Sequence, residues 1–257
     1  MKNALLFLMT FTPALLFGQE NARVHVLSYN ILHGATMKGD FDLDLIAEAI
    51  KKTDADLVAL QEVDFKTKRA KNMDLATELG YRLKMAPVFG EAMPYDGGSY
   101  GEGVLTKMVI LAMTNHPLPY TEGHEPRAAL EVLVRLSSGD TISFIGTHLD
   151  HTRDPANRVA QVKALIEITK RLKYPAILAG DLNATPESEA IQLLTRYWKP
   201  SDPKQMPTFP SKGPKVKIDY IMTYPPQRWQ VVETKVIDEQ VASDHCPYYA
   251  VLELVGK

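Results

Sequence analysis

Short apolar runs of strand length recur along this chain, separated by amphipathic stretches, and most of them end on an acid, an amide or an imidazole. That pattern confines the chain to layered α/β architectures, because strands buried on both faces need covering elements on each side. Residues 24–29, 56–60, 101–107, 128–136, 141–147, 176–180, 218–223 and 246–254 read as strands, most of them rich in Val, Ile, Leu or Tyr. Leu43, Ile46, Ala47 and Ile50 recur at helical spacing, as do Val159, Val162, Ile166 and Leu172. Asp154 predicts the cap of that second helix, with Pro155 at its first position, where a missing N–H costs nothing. A third helix is expected near residues 188–197. Residues 89–100, with Pro94, Gly97 and Gly98, read as a loop facing substrate.

Nothing resembling a linker or repeat divides the 257 residues, so residues 20–257 are expected to form one domain. Before them, Lys2 precedes an apolar stretch over residues 4–17, followed by Gly18, Gln19 and Glu20. Residues 1–19 are therefore expected to be a signal peptide, directing a secreted or periplasmic protein. An uncleaved anchor is the alternative, but a span needs about 20 apolar residues, and Thr10, Thr12 and Pro13 interrupt this stretch. Cys246 is the single cysteine, which excludes an internal disulfide and leaves stability to the core. The formal charge of −2 weighs against a nonspecific nucleic-acid binder with a basic face, while leaving room for a local basic groove.

The chemistry is carried by the strand ends. Asn30 closes the first run, Glu62 follows the second, and His148 with Asp150 follows the run at 141–147. Asp181 and Asn183 follow AILAG, Asp219 lies in KIDYIM, and Asp244 with His245 precedes the last strand. Catalytic groups favour such ends. Hydrolysis of a phosphate ester needs neutralised phosphoryl charge, an activated water and help for the leaving oxygen. Asn30, Glu62 and Asp244 offer the hard oxygens that Mg²⁺ prefers, with Mn²⁺ or Ca²⁺ as alternatives. No Cys/His cluster or H-E-x-x-H motif points to zinc. Singly, each residue has a bland reading: GDLNATP as an Asx turn, Asn30 as a turn residue, His245 as a hydrogen-bonded core histidine. The ordered set is what carries weight.

SYN at residues 28–30, QE at 61–62, THLD at 147–150, GDLN at 180–183, IDY at 218–220 and SDH at 243–245 resemble, in order, the endonuclease/exonuclease/phosphatase superfamily. The resemblance spans essentially everything after the leader. It implies a four-layer α/β/β/α sandwich of the deoxyribonuclease I-like kind, and one-step in-line attack by water on phosphorus. It also implies that Glu62 is the principal metal ligand, with Asn30 and Asp244 beside it, and that Asp181 orients or deprotonates the water. Asn183 would hold that water or a phosphate oxygen, and His245, charged by Asp219, would contact the scissile phosphate. His148 would assist the transition state or leaving group, and Arg127 would fork onto phosphate.

Asp150 and His151 are left outside the catalytic set, Arg153, Arg158 and Lys163 are read as solvating a helix, and Cys246 as structural. One departure stands in YGEGVLTK, where Glu102 and Gly103 replace the asparagine and small residue of many relatives. The substrate is expected to be a phosphate ester of a nucleic acid, inositol phosphate or phospholipid headgroup, a phosphodiesterase or nuclease ranking first, with no obligate protein partner. A noncatalytic binder on the same scaffold is the alternative of a different class.

Overall fold

A computed structural model describes residues 23–256, so the expected signal peptide lies outside the described residues. In chain order the elements begin with strand β1 (Arg23–Asn30), helix α1 (Leu43–Lys51), β2 (Leu57–Phe65), α2 (Leu75–Leu83), β3 (Ala86–Tyr95), β4 (Gly98–Thr106) and β5 (Val109–Leu118). They continue with β6 (Arg127–Arg135), β7 (Thr141–His148), α3 (Ala156–Thr169), β8 (Ala176–Asp181), α4 (Glu189–Leu194), β9 (Lys199–Pro200), β10 (Asp219–Tyr224), β11 (Trp229–Val236) and β12 (Tyr248–Leu254). No helix among the described residues is long and apolar enough to cross a membrane.

Two six-stranded sheets result, ordered β11-β12-β1-β2-β4-β3 and β5-β6-β7-β8-β10-β9. Alternation sends Val24, Val26, Leu57, Ala59 and Val104 of the first sheet onto Leu130, Val132, Phe144, Ile177 and Ala179 of the second. The opposite faces are equally apolar. Leu27, Tyr29 and Leu60 receive α1 and α2 through Ile46, Ile50, Leu75 and Leu79. Ile145 and Leu178 receive α3 and α4 through Val162, Leu165, Ile191 and Leu194. The expected four-layer α/β/β/α sandwich is what forms.

Each sheet holds a parallel pair joined through a helix, β1 with β2 and β7 with β8. These crossovers bring the carboxyl ends of four central strands to one edge of the sandwich, the placement in which open α/β sheets carry their sites. Asn30, Glu62, His148 and Asp181 therefore converge although they are far apart in sequence.

Three expectations are corrected. Residues 89–100 are not a loop: they belong to a hairpin of β3 and β4, whose turn, Asp96-Gly97, has φ of 44° and 82°. Asp-Gly with both φ positive is the turn that matches the natural twist of paired strands. Helix α2 and strands β5 and β11 were not foreseen. Helix α3 starts one residue later than expected, at Ala156, with Asp154 Oδ1 accepting from the Ala156 N–H at 2.9 Å.

Candidate active site

Glu62 owes its position to a fault in the strand. The β2–β4 ladder breaks register between Leu60 and Val63, and Glu62 sits in the break at φ 58°. A bulge of this kind re-aims a side chain that regular pleating would send elsewhere. Asn30 Nδ2 donates to Glu62 Oε1 at 3.1 Å, and His33 Nδ1 lies 3.4 Å from Glu62 Oε2. Burial by itself would raise the proton affinity of Glu62, but the His33 contact and the Asn30 amide oppose it and the pKa falls to about 2.

Asp181 closes β8 and is buried. Its Oδ1 accepts from the Asn183 backbone N–H at 2.9 Å, and its Oδ2 from Asn30 Nδ2 at 3.3 Å. Burial raises its pKa above the usual carboxylate range, with His245 opposing and Asp219 reinforcing the shift. Asp219 stands opposite Asp181 in the β8–β10 register. His245 fills the gap: its Nδ1 lies 3.0 Å from Asp219 Oδ2 and its Nε2 3.6 Å from Asp181 Oδ2. Although burial disfavours its charge, Asp219 and then Asp181 raise the pKa of His245 well above the usual histidine value. The ring also packs against Phe209, with centroids 4.8 Å apart.

His148 is arranged differently. Arg127 Nη1 reaches its Nδ1 at 3.2 Å, and Asn183 Nδ2 its Nε2 at 2.9 Å. A neutral ring accepts at only one of these nitrogens and carries its proton on the other; burial, and after it Arg127, hold its pKa well below the usual value. These contacts hold His148 between Arg127 and Asn183 in the pocket wall, the place expected for a group assisting the transition state or leaving group. Asn183, at φ 48°, also donates to Leu149 O at 3.0 Å. With Nδ2 turned towards Leu149, Oδ1 is the amide atom left to accept from a water.

Arg127 is buried at the start of β6, with Nη1 3.4 Å from Tyr100 Oη and Nη2 3.2 Å from His151 Nδ1 and 2.8 Å from Glu125. Asp244 is partly open to the pocket. Burial raises its pKa, His245 opposes that, and the negative charge of Glu62, which lines the same pocket, adds to it. A divalent cation would relieve that repulsion, and the oxygen donors suit a hard ion. In the present orientation Asn30 offers its amide nitrogen to the carboxylates, while its Oδ1 accepts from Leu32 N–H at 3.1 Å. To act as a ligand, that amide must turn over. Asp181, Asp219 and His245 form a second buried group of ligand-type atoms, all within 4.8 Å of one another. The Asp219–His245 ion pair there uses up what a cation would need, so Glu62 and Asp244 fit better.

Glu62, Arg127, His148, Asp181, Asn183, Asp244 and His245 line one pocket of about 390 Å³. One wall is the β3–β4 hairpin, with Met93, Tyr95 and Tyr100; Phe209 and Ile218 form another. Arg69 completes the rim, gripped by Asp64 through Nε at 2.7 Å and Nη2 at 2.8 Å, with its guanidinium 4.5 Å from the Tyr95 ring centre.

The model of the endonuclease/exonuclease/phosphatase family matches residues 27–245, reaching from β1 to the histidine of the site. The chain belongs to that family. Its members hydrolyse phosphate esters and generally use a divalent metal. Solved structures with the same fold include an endonuclease/exonuclease/phosphatase of Beutenbergia cavernae, 22% identical with a TM-score of 0.77, covering 91% of this chain and 72% of that one. A family protein of Bacteroides thetaiotaomicron is 20% identical with a TM-score of 0.76, covering 92% of this chain and 100% of the other. A mannosyl-6-phosphatase of the same organism is 19% identical with a TM-score of 0.72, covering 89% and 99%.

Within this family member the structure brings together all the residues expected at the site: Asn30, Glu62, Arg127, His148, Asp181, Asn183, Asp219, Asp244 and His245. Asp150 orders its loop, accepting from Thr152 N–H at 2.8 Å. Arg158 donates to the carbonyls of that loop. Cys246 is buried, with its thiol pushed up to about 11 chiefly by burial. His33, Arg69, Tyr100 and Glu125 were missed. His33 had a signal, standing three residues after Asn30 in NILHG. Arg69 had none, because its approach depends on the unforeseen hairpin.

Proposed function

We propose that this protein is a divalent-metal-dependent phosphoesterase whose substrate is small and polar, a phosphorylated sugar or polyol being the class that fits best. The observation that carries the chemistry is His245 lodged between Asp219 and Asp181, at the floor of a pocket that also presents Arg127, Glu62 and Asn183.

Asp181 accepts the proton of the attacking water, a role its raised proton affinity suits. Asn183 Oδ1 aligns that water. His245, kept cationic by Asp219, and the buried guanidinium charge of Arg127 in the pocket wall stabilise the charge that gathers on the phosphoryl oxygens. A cation held by Glu62, Asp244 and Asn30 would supply Lewis-acid neutralisation of the phosphate and leaving oxygens. The P–O bond to the leaving group breaks as the bond to water forms, and the alcohol departs with a proton from solvent.

The sequence ranks a nuclease or phosphodiesterase first. The pocket supports the opposite order, because its volume suits a small ligand and Arg69, Glu125 and His151 offer hydrogen-bonding groups of both signs beside the Tyr95 face. The mannosyl-6-phosphatase on the same fold is consistent with that order. Phosphate release from sugar and inositol monophosphates, compared with cleavage of DNA, RNA, sphingomyelin and a chromogenic diester, tests it. Preferred turnover of a polymer or of sphingomyelin would reverse the ranking. We also propose export, on the strength of the amino-terminal segment; an intact mass beginning near Gln19 or Glu20 in the exported form tests that.

A further inference from the structure

The segment between α4 and β10 contributes no acid or imidazole to the site, yet one of its residues grips the chain on both sides of the ion pair at the pocket floor. Thr208 is 0% exposed. Strand β9 pairs with β10 only at Met222 and Thr223, so the start of β10 has no neighbouring strand on that side. The Thr208 hydroxyl stands in for one: its Oγ1 accepts from the Ile218 N–H at 3.3 Å and from the Asp219 N–H at 3.2 Å. A hydroxyl oxygen has two lone pairs and can serve both. Buried N–H groups without an acceptor are costly, so this one oxygen fixes where the Asp219 backbone lies.

The main chain around Thr208 holds the other half of the pair. The Thr208 carbonyl accepts from the Cys246 N–H at 2.8 Å, and the Ser211 N–H donates to the Asp244 carbonyl at 2.6 Å. His245 is thereby held through both of its chain neighbours, while the Phe209 ring lies against its imidazole with centroids 4.8 Å apart. Thr208 is itself anchored, its N–H donating to the Val216 carbonyl at 2.8 Å. Asp219 and His245 are 26 residues apart in sequence, and Thr208 is bonded to Asp219 and to the residue that follows His245.

We propose that Thr208 is the positioning residue of the Asp219–His245 pair, its hydroxyl oxygen and its carbonyl fixing the two chain segments whose side chains form that pair. A slip of either segment would lengthen the 3.0 Å contact from His245 Nδ1 to Asp219 Oδ2 and move the imidazole away from the phosphoryl oxygens. The inference rests on the reading of the pocket as a phosphate-ester site.

The test is steady-state hydrolysis, with Mg²⁺, of whichever phosphate ester the wild type turns over fastest, beside the melting temperature of each variant. Thr208→Val keeps the shape and removes the acceptor. Its kcat is expected to fall by about 10- to 100-fold with KM nearly unchanged, the scale of a displaced group that acts in the transition state. Thr208→Ser, which keeps the oxygen, is expected to recover most of that loss. If the valine variant does not fold, Thr208→Cys, whose sulfur is a weak acceptor, is read in the same way. Thr169, at the end of α3, is the comparison: it is also buried, and its Oγ1 accepts from Trp198 Nε1 at 2.8 Å and donates to the Leu165 carbonyl at 2.7 Å. Thr169→Val is expected to melt lower than wild type and to turn over like it. In an Asp219→Asn background, Thr208→Val is expected to cost no further kcat, because residues that act through one another are not additive. Unchanged kcat in Thr208→Val, a matching kcat loss in Thr169→Val, or a full further loss on top of Asp219→Asn overturns the proposal while leaving the site reading intact. A wild-type protein that hydrolyses no phosphate ester overturns that reading and the inference with it.

Discussion

Asp181 and Asp219 stand directly opposite each other across the β8–β10 pair, two buried carboxyl groups separated by the ring of His245. Like charges so placed cannot both be tolerated without a cation between them, and the imidazolium supplies it. The protein thus holds a positive charge and a proton acceptor side by side at the pocket floor, and most of what the site can do follows from that.

Asp219→Asn should remove the partner that keeps His245 charged. A fall in kcat of about 10² or more is expected, the size of losing one preorganised electrostatic group. Stability should fall as well, by less than the roughly 3–5 kcal/mol of an uncompensated buried charge, because Asp181 stays 3.6 Å from the ring. A variant that loses stability while keeping kcat would show that the pair is only structural.

The same ion pair makes a signed prediction for stability against pH. The folded pKa of His245 is raised above 6.5, to about 10. Its contribution is therefore fully present below the unfolded value and is lost as pH rises through the folded one. In EDTA, the difference in urea midpoint between wild type and His245→Gln should be largest near pH 6 and shrink towards about pH 10. A difference that grows with pH would contradict the assignment.

Glu62→Gln should raise the Mg²⁺ concentration for half-maximal activity by more than tenfold, because even outer groups that only orient ligands cost about 10–100-fold in metal affinity. Titrating activity against Mg²⁺ checks it; an unaltered midpoint would remove Glu62 from the metal site.

Arg69→Ala tests the rim. It takes away N–H groups facing the leaving group and unstacks Tyr95, so kcat/KM for a sugar phosphate should drop by about tenfold, while a small aryl phosphate should be nearly unaffected. Equal losses on both substrates would mean that Arg69 and Asp64 merely brace the hairpin.

The layering was legible because apolar runs and strand-end acids are written in consecutive residues. Asn30, Glu62, Asp181 and His245 could be found that way, each abutting a buried strand. Arg69 and Tyr95 could not, because they reach the pocket only through the β3–β4 hairpin. Its Asp96-Gly97 turn is a strong signal that the neighbouring prolines and glycines concealed. His148 was identified in place but not in character, since its low proton affinity is imposed by burial and by Arg127, which comes from another strand. Glu102 was visible as a departure, but its complete burial in β4 could not be read from the run.

The most direct measurement is inorganic phosphate released from a panel of sugar monophosphates by the wild-type protein and Asp181→Asn, each with Mg²⁺ or EDTA. The account predicts steady turnover by the wild type with Mg²⁺, none with EDTA, and a loss of about 10³-fold or more in Asp181→Asn, given the combined scale of general-base and electrostatic terms. Turnover that survives EDTA or the loss of the Asp181 carboxylate would contradict it.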